Sequence, residues 1–312
     1  MTRAGSDPLD GLAVFERGWL SSNNVLIHAA PGEAGAWFVD TSHVNHAEQT
    51  LALLQRELAG RPLAGIANTH LHSDHCGGNA LLQQHYGVPI AIPPGQRQAV
   101  QQWDAAALSY RSTGQRIERF DAGAALQPGE GLRAGGRDWE LLPAPGHDPH
   151  MLMLFDRRHG VLLSADALWE NGFGIVFPEL QGEPGFDDLA QVLDLIAGLP
   201  VRLVVPGHGR PFDDVPAALA RARRRLQGQR DDPARHARHA AKVLLKYHLM
   251  EEREQALPAL LQWTAATPLL HEVWERFRPA GVHALRQWVE QLVRELAASG
   301  ALKLEGDRVR DA

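Results

Sequence analysis

Thr69-His70-Leu71-His72-Ser73-Asp74-His75-Cys76-Gly77-Gly78 is the stretch that decides the fold, because it places three imidazoles and a carboxylate between positions 70 and 75. It follows the apolar run Pro62-Leu63-Ala64-Gly65-Ile66-Ala67-Asn68, which reads as a buried strand. A strand end that feeds a glycine-rich turn aims several of these side chains at one spot. Imidazole and carboxylate together suit zinc, iron or manganese, and the lack of a thiolate cluster argues against a closed structural zinc site. The bland alternative is a polar loop that is rich in histidine by chance. It loses ground because more candidate ligands follow at strand ends: His147 after Pro143-Ala144-Pro145-Gly146, Asp166 in Ser164-Ala165-Asp166, and His208 in Pro206-Gly207-His208-Gly209.

Working outward, apolar runs bounded by turn residues predict strands at Leu12 to Phe15, Asn24 to Ala29 and Ala36 to Asp40. Thr41 and Ser42 are candidate caps for a helix through Glu48, Leu51, Leu54 and Leu58, whose spacing buries one face. A short helix after Gly77-Gly78, a strand over Val88 to Ile92 and a helix over Gln96 to Leu108 come next. A hairpin through Leu132 and Trp139 to Leu142, the pair Met151 to Phe155 and Gly160 to Ser164, and Val201 to Val205 complete the strands of this half. Strands alternating with helices predict an α/β architecture. Beyond about Pro211 helical patterns take over, at Ala217 to Gln227, Ala234 to Met250, Glu252 to Trp263 and His283 to Ser299, and a terminal hairpin turns at Glu305-Gly306-Asp307. The expected organisation is a catalytic domain over 1–212 and a small helical, winged-helix-like domain over 213–312.

His70, His72, Asp74 and His75 form a His-x-His-x-Asp-His signature, and with His147, Asp166 and His208 behind it the sequence resembles the metallo-β-lactamase superfamily over roughly residues 12 to 212. The resemblance implies a four-layer αββα sandwich. It also implies that His70, His72 and His147 hold one divalent metal, that Asp74, His75 and His208 hold a second, and that Asp166 bridges both. The metals would be zinc, with iron or manganese accepted by the same donors. Seven ligands for two metals leave coordination positions open, as catalysis requires. A shared hydroxide activated by both metals would do the chemistry, with Asp74 both ligating and accepting a hydrogen bond from it. Asp40 matches the family's carboxylate that steadies a ligating imidazole, and helix capping is its other reading. The superfamily's true β-lactamases carry a cysteine where this chain has Asp166, which points away from antibiotic hydrolysis. Cys76, beside His75, reads as a buried inert thiol rather than a ligand.

The composition narrows the substrate. Over 312 residues, 44% hydrophobic and 22% charged, a net charge of −6 gives no general attraction for nucleic acid or anionic membrane. A single cysteine fits a reducing compartment, the N-terminal residues lack the apolar core of a secretory signal, and no run is long enough to span a bilayer. The expectation is a cytoplasmic hydrolase acting on a small ester, thioester or lactone. The competing expectation is an endoribonuclease, because Arg221, Arg223, Arg224, Arg225, Arg230, Arg235, Arg238, Lys242 and Lys246 form a basic run. A solvated helix face is the plain reading of that run, and a cover for the site or a homodimer contact is a third use for the C-terminal helices. Trp169, Phe173 and Phe177 are candidate substrate walls or core residues, as are Asp148 and His150 for pocket or turn, and Tyr110 and Arg111 for substrate contact. His236, His239, His248, His271 and His283 read as surface or packing residues.

Overall fold

The computed structural model describes residues 7–312; Met1 to Ser6, most of the stretch read for a leader, lie outside the described residues. Two sheets lie at the centre. The first contains β1 (Leu12–Phe15), β2 (Asn24–Ile27), β3 (Ala36–Val39), β4 (Leu63–Ala67), β5 (Ile90–Ile92) and β6 (Ala122–Ala125), side by side in that order. Its first three strands pair antiparallel, and β3 through β6 pair parallel. The second contains β7 (Gly131–Ala134), β8 (Arg137–Pro143), β9 (Leu152–Asp156), β10 (Val161–Ala165) and β11 (Leu203–Pro206), with only β10 and β11 parallel.

Strand alternation sorts the side chains into layers, because successive residues face opposite sides of a sheet. Val25, Ile27, Val39, Ala67 and Ala91 of the first sheet meet Trp139, Leu152, Leu154, Val161, Leu163 and Val205 of the second. Their neighbours Leu26, Phe38, Ile66 and Ile90 face the other way, against Leu51, Leu54 and Leu58 of helix Ala47–Leu58. Met153, Phe155, Leu162 and Val204 likewise leave the second sheet toward Leu189, Val192, Leu193 and Ile196 of helix Gly185–Gly198. Helix, sheet, sheet, helix is the expected four-layer sandwich, and its inner faces are apolar because both sides of each sheet are covered.

The C-terminal part consists of helices Val215–Asp231, Pro233–Glu252, Leu257–Ala266, Pro268–Phe277 and Leu285–Ala298. A three-stranded sheet accompanies them: β12 (Glu254–Ala256), β13 (Leu302–Glu305) and β14 (Arg308–Asp311), in the order β12-β14-β13. Val215, Ala218, Leu219, Ala222 and Leu226 of the first of these helices pack into the core of the second sheet. The later helices build a core of their own, into which Ile175 reaches from the loop after β10 and Leu180 from the short helix Phe177–Gln181. Polar contacts, one of them fully buried, fasten helix Pro233–Glu252 to the sandwich. His43 Nε2 lies 2.8 Å from Glu251 Oε1, Asn45 Nδ2 donates to the Glu251 carbonyl at 2.9 Å, and Ser73 Oγ is 2.8 Å from the Tyr247 hydroxyl. Among the described residues, no helix is long and apolar enough to cross a membrane.

Several local expectations fail. The helix expected over Gln96 to Leu108 stops at Gln102, since Trp103 turns left-handed (φ 52°) and the Asp104 carboxylate caps the amides of Ala106 and Ala107 instead. Thr41 and Ser42 cap no helix; their hydroxyls donate to Asn79 Oδ1 and Asn24 Oδ1, both at 2.8 Å. Helix Leu257–Ala266 begins later than expected because Glu254 to Ala256 form an edge strand beside β14.

Candidate metal centre

Five strand ends of the sandwich deliver the site. Asp40 follows β3, His70 to His75 follow β4, His147 lies between β8 and β9, Asp166 follows β10 and His208 follows β11. Bringing Asp166 into line requires a distorted strand end. Ala165 sits in the left-handed region (φ 47°) at a register shift between β10 and β11, and a bulge of this kind re-aims the next side chain. The space it points into is kept by Gly207, where a Cβ would lie 2.2 Å from Asp166 Oδ1. Gly174 does the same for His147, with an added Cβ 2.4 Å from its Nδ1.

The structure brings all seven expected ligands together, in two groups: His70, His72 and His147, and Asp74, His75, Asp166 and His208, the donor atoms of each group lying within 4.8 Å of one another. In the first group, His72 Nδ1 is 3.0 Å from His70 Nε2 and 2.7 Å from His147 Nε2. In the second, His208 Nε2 is 3.0 Å from Asp74 Oδ2, and His75 Nε2 is 3.5 Å from Asp166 Oδ1. Asp166 stands between them, its Oδ2 3.3 Å from His147 Nε2 and 4.0 Å from His208 Nε2. The Trp169 indole donates to Asp166 Oδ1 at 3.2 Å and fixes its rotamer.

Whether these residues fit cations can be tested on their hydrogen bonds. His75 Nδ1 donates to Asp40 Oδ2 at 2.7 Å, which leaves its Nε2 buried and with no partner of its own among the described residues. His147 Nδ1 donates to the Ile175 carbonyl at 2.6 Å, turning the Nε2 lone pair toward the first group. Asp40 is itself held by the Thr69 amide at 2.9 Å and the Thr69 hydroxyl at 2.8 Å, so it steadies an imidazole and caps no helix. Burial, reinforced by the surrounding histidines, keeps His70 well below the ordinary histidine range, and burial with His147 lowers His72 to about 4. Both therefore present lone pairs at neutral pH. Burial alone would raise the two carboxyls, yet His75 and His208 hold Asp74 down to about 2 and Asp166 well below its usual range. Burial would lower His75, but Asp40, Asp166 and Asp74 raise it well above its usual value. The second group thus draws positive charge into a buried place. Burying a carboxylate costs several kcal/mol unless a cation compensates it, so the donor set fits divalent cations.

A cavity of about 420 Å³ opens on the cluster, lined by His72, Asp74, Asp166 and His208 together with Trp169, Phe177 and, from helix Pro233–Glu252, Lys242, Tyr247 and Met250. Trp19, which the sequence reading passed over, belongs to it as well. It is 61% exposed and stacks on His208 at 5.4 Å. A lone tryptophan in a polar loop between two predicted strands was the only available signal. Trp169 and Phe177 are walls of this cavity as expected, whereas Phe173 packs in the core and lines an adjoining cavity instead. Tyr110 does not reach the cavity: it is buried, 3.5 Å from Cys76 Sγ, and Arg111 beside it is exposed. Cys76 also donates to the His72 carbonyl, and burial pushes its thiol far up, so it stays protonated as expected. Asp148 accepts from the His150 amide at 2.7 Å, the turn-stabilising role.

The family model of the metallo-β-lactamase superfamily matches residues 17–208, the span that carries every donor of the cluster. The chain belongs to the metallo-β-lactamase superfamily. Within the superfamily it is 26% identical over 168 residues to the human acyl-coenzyme A thioesterase MBLAC2, covering 51% of this chain and 60% of that protein. It is 30% identical over 181 residues to a hydroxyacylglutathione hydrolase of Synechococcus sp. (strain JA-3-3Ab), covering 58% and 61%. The chain therefore spans about three-fifths of the length of these curated relatives. A crystallised metallo-β-lactamase family protein from Thermus thermophilus, 21% identical, superposes with a TM-score of 0.57 over 98% of this chain and 100% of that one. That likeness extends the shared superfamily fold through the C-terminal helices.

Proposed function

We propose that this protein hydrolyses a small-molecule thioester, with His70, His72 and His147 holding one divalent cation, Asp74, His75 and His208 a second, and Asp166 facing both. The observation that carries the reading is the pairing of two buried donor groups beneath a cavity of about 420 Å³ with apolar walls. Divalent cations held by these residues would supply a water of lowered pKa and a polarised scissile carbonyl. The chain's own residues do the rest. Asp74 Oδ2, 3.0 Å from His208, is held as a carboxylate and can accept a hydrogen bond from an O–H group at the reacting centre. Trp169 locks Asp166, and Asp40 locks His75. Trp19, Trp169 and Phe177, with Tyr247 and Met250 in the same lining, would shed water around the acyl group.

Two points favour a thioester over other acyl compounds. Both named relatives act on thioesters, according to their names, and Trp19, Trp169, Phe177 and Met250 give the cavity soft apolar surface for an acyl chain. In this reading residues 1–212 carry the chemistry, and 213–312 supply one wall of the cavity. A panel of acyl thioesters, esters and lactones assayed beside single-stranded RNA tests it. Turnover of thioesters is the expected result; turnover of RNA alone would overturn it in favour of a nuclease.

A further inference from the structure

A second cavity of about 620 Å³ adjoins the first, and the two linings share Trp19, Trp169, Ile175, His239 and Val243. Its far wall is cationic. Arg224 and Arg225 of helix Val215–Asp231 and Arg235 of helix Pro233–Glu252 line it, and its lining contains no carboxylate. Most of the other cations on these helices are neutralised: Arg223 pairs with Asp194 and Arg230 with Asp187, Arg238 and Lys242 pair with Glu295, and Lys246 pairs with Asp311. Arg221 donates to the Glu170 carbonyl. Among the described residues, Arg224, Arg225 and Arg235 form no ion pair.

Arg225 is also set in place. Its guanidinium lies 5.0 Å over the Phe173 ring, its Nη2 is 3.3 Å from His239 Nε2, and a Cβ at Gly172 would come within 2.6 Å of its Nη1. Two buried side chains in the same lining keep atoms without partners among the described residues, Gln229 Oε1 and His236 Nδ1. His236 Nε2 lies 3.2 Å from the Val176 carbonyl and is best read as donating to it, which leaves Nδ1 an acceptor. The cavity therefore offers several unneutralised positive charges and two aromatic faces.

We propose that this cavity binds the thiol carrier of the thioester, and that the carrier bears phosphate groups: a phosphorylated nucleotide carrier of the coenzyme A type. Guanidinium groups match phosphate oxygens in charge and in planar donor geometry. A carrier with only carboxylates brings fewer charges than the cavity presents. An RNA strand needs a continuous basic track, whereas here the flanking cations are paired off with carboxylates. The proposal rests on the thioesterase reading.

The test uses the metal-loaded full chain and the double variant Arg224→Gln/Arg235→Gln, which changes two cavity-lining side chains that hold no other part of the fold through an ion pair among the described residues. Substrates are butyryl-coenzyme A, S-butyrylglutathione and butyryl-N-acetylcysteamine, which carries the same thioester without phosphate. Calorimetry with desulfo-coenzyme A reads binding apart from turnover. The expected result is a KM for butyryl-coenzyme A well below that of the truncated thioester, rising about tenfold in the double variant at constant kcat, as the removal of a charge-assisted hydrogen bond would produce. The desulfo-coenzyme A Kd should weaken in parallel. Equal KM values for the two in the native protein, a lowest KM for the glutathione thioester, or a proportionate loss on all substrates would overturn the carrier assignment. If no thioester is turned over, the thioesterase reading fails, and the desulfo-coenzyme A titration alone decides the cavity: binding lost in the double variant keeps it, and no binding removes it.

Discussion

At the scale of single residues, the site depends on side chains whose alternatives are few. Asp74 stands 3.0 Å from His208 and opens on the cavity, so Asp74→Ala should lower turnover by about 10²-fold or more while circular dichroism and the melting transition stay those of a folded protein. Global unfolding of that variant would contradict its role. Among the described residues the Asp40 carboxylate hydrogen-bonds Thr69 and His75, and removing an outer carboxylate of this kind weakens metal binding by about 10- to 100-fold. Asp40→Asn should therefore release its metal at lower chelator concentration, with a native-like fold, as read by metal analysis across a chelator series. Much at this scale was legible beforehand: all seven candidate donors converge as the signature implied. What the sequence hid was partnership. Nothing in the one-dimensional order tells that Tyr110 is buried against Cys76, or that Trp19 stacks on His208, because both relations join segments far apart in the chain.

Among elements, the helix Pro233–Glu252 matters most, since it supplies a wall of both cavities and is fastened to the sandwich through Glu251. Burial alone would raise the Glu251 carboxyl, but the nearby His248 ring, its Nδ1 3.7 Å from Oε2, and the hydrogen bond from His43 hold it below its ordinary value of 4.5. The folded state then binds that proton less tightly than the unfolded chain. The resulting stabilisation is complete above about pH 4.5 and fades as the pH falls through the lower folded value. Glu251→Gln should cost about 1–3 kcal/mol at neutral pH, and the gap from the native chain should narrow on acidification below that window. Urea titrations at a series of pH values read both; a gap that is constant with pH would deny the carboxylate its part. Elements with strong periodicity, such as the helix through Leu51, Leu54 and Leu58, were readable from sequence because burial enforces the pattern. β6 and β12 were not. Ala122-Gly123-Ala124-Ala125 and Glu254-Gln255-Ala256 lack β-branched and aromatic residues, and each is a strand only because a neighbour offers its edge.

Over the whole molecule, a four-layer sandwich gathers strand ends at one edge, and the C-terminal helices close over them. The basic run of the sequence illustrates how scale changes meaning. Read linearly it suggested phosphate binding along a helix; folded, most of its charges are satisfied by carboxylates such as Asp194 and Glu295, Arg221 donates to the Glu170 carbonyl, and Arg224, Arg225 and Arg235 converge on one cavity. Binding of single-stranded RNA should accordingly be weak, and any that occurs should fall steeply with salt; tight, salt-resistant RNA binding by filter retention would count against the arrangement. The central claim is that two cations held by seven side chains carry the reaction. Metal content and thioester turnover measured on the same sample, before and after exhaustive chelation, test it most directly. The account predicts about two transition-metal ions per chain, turnover abolished by the chelator and regained when metal is returned, and a His72→Ala/Asp166→Ala variant that retains neither. Undiminished hydrolysis by the metal-stripped protein would contradict it.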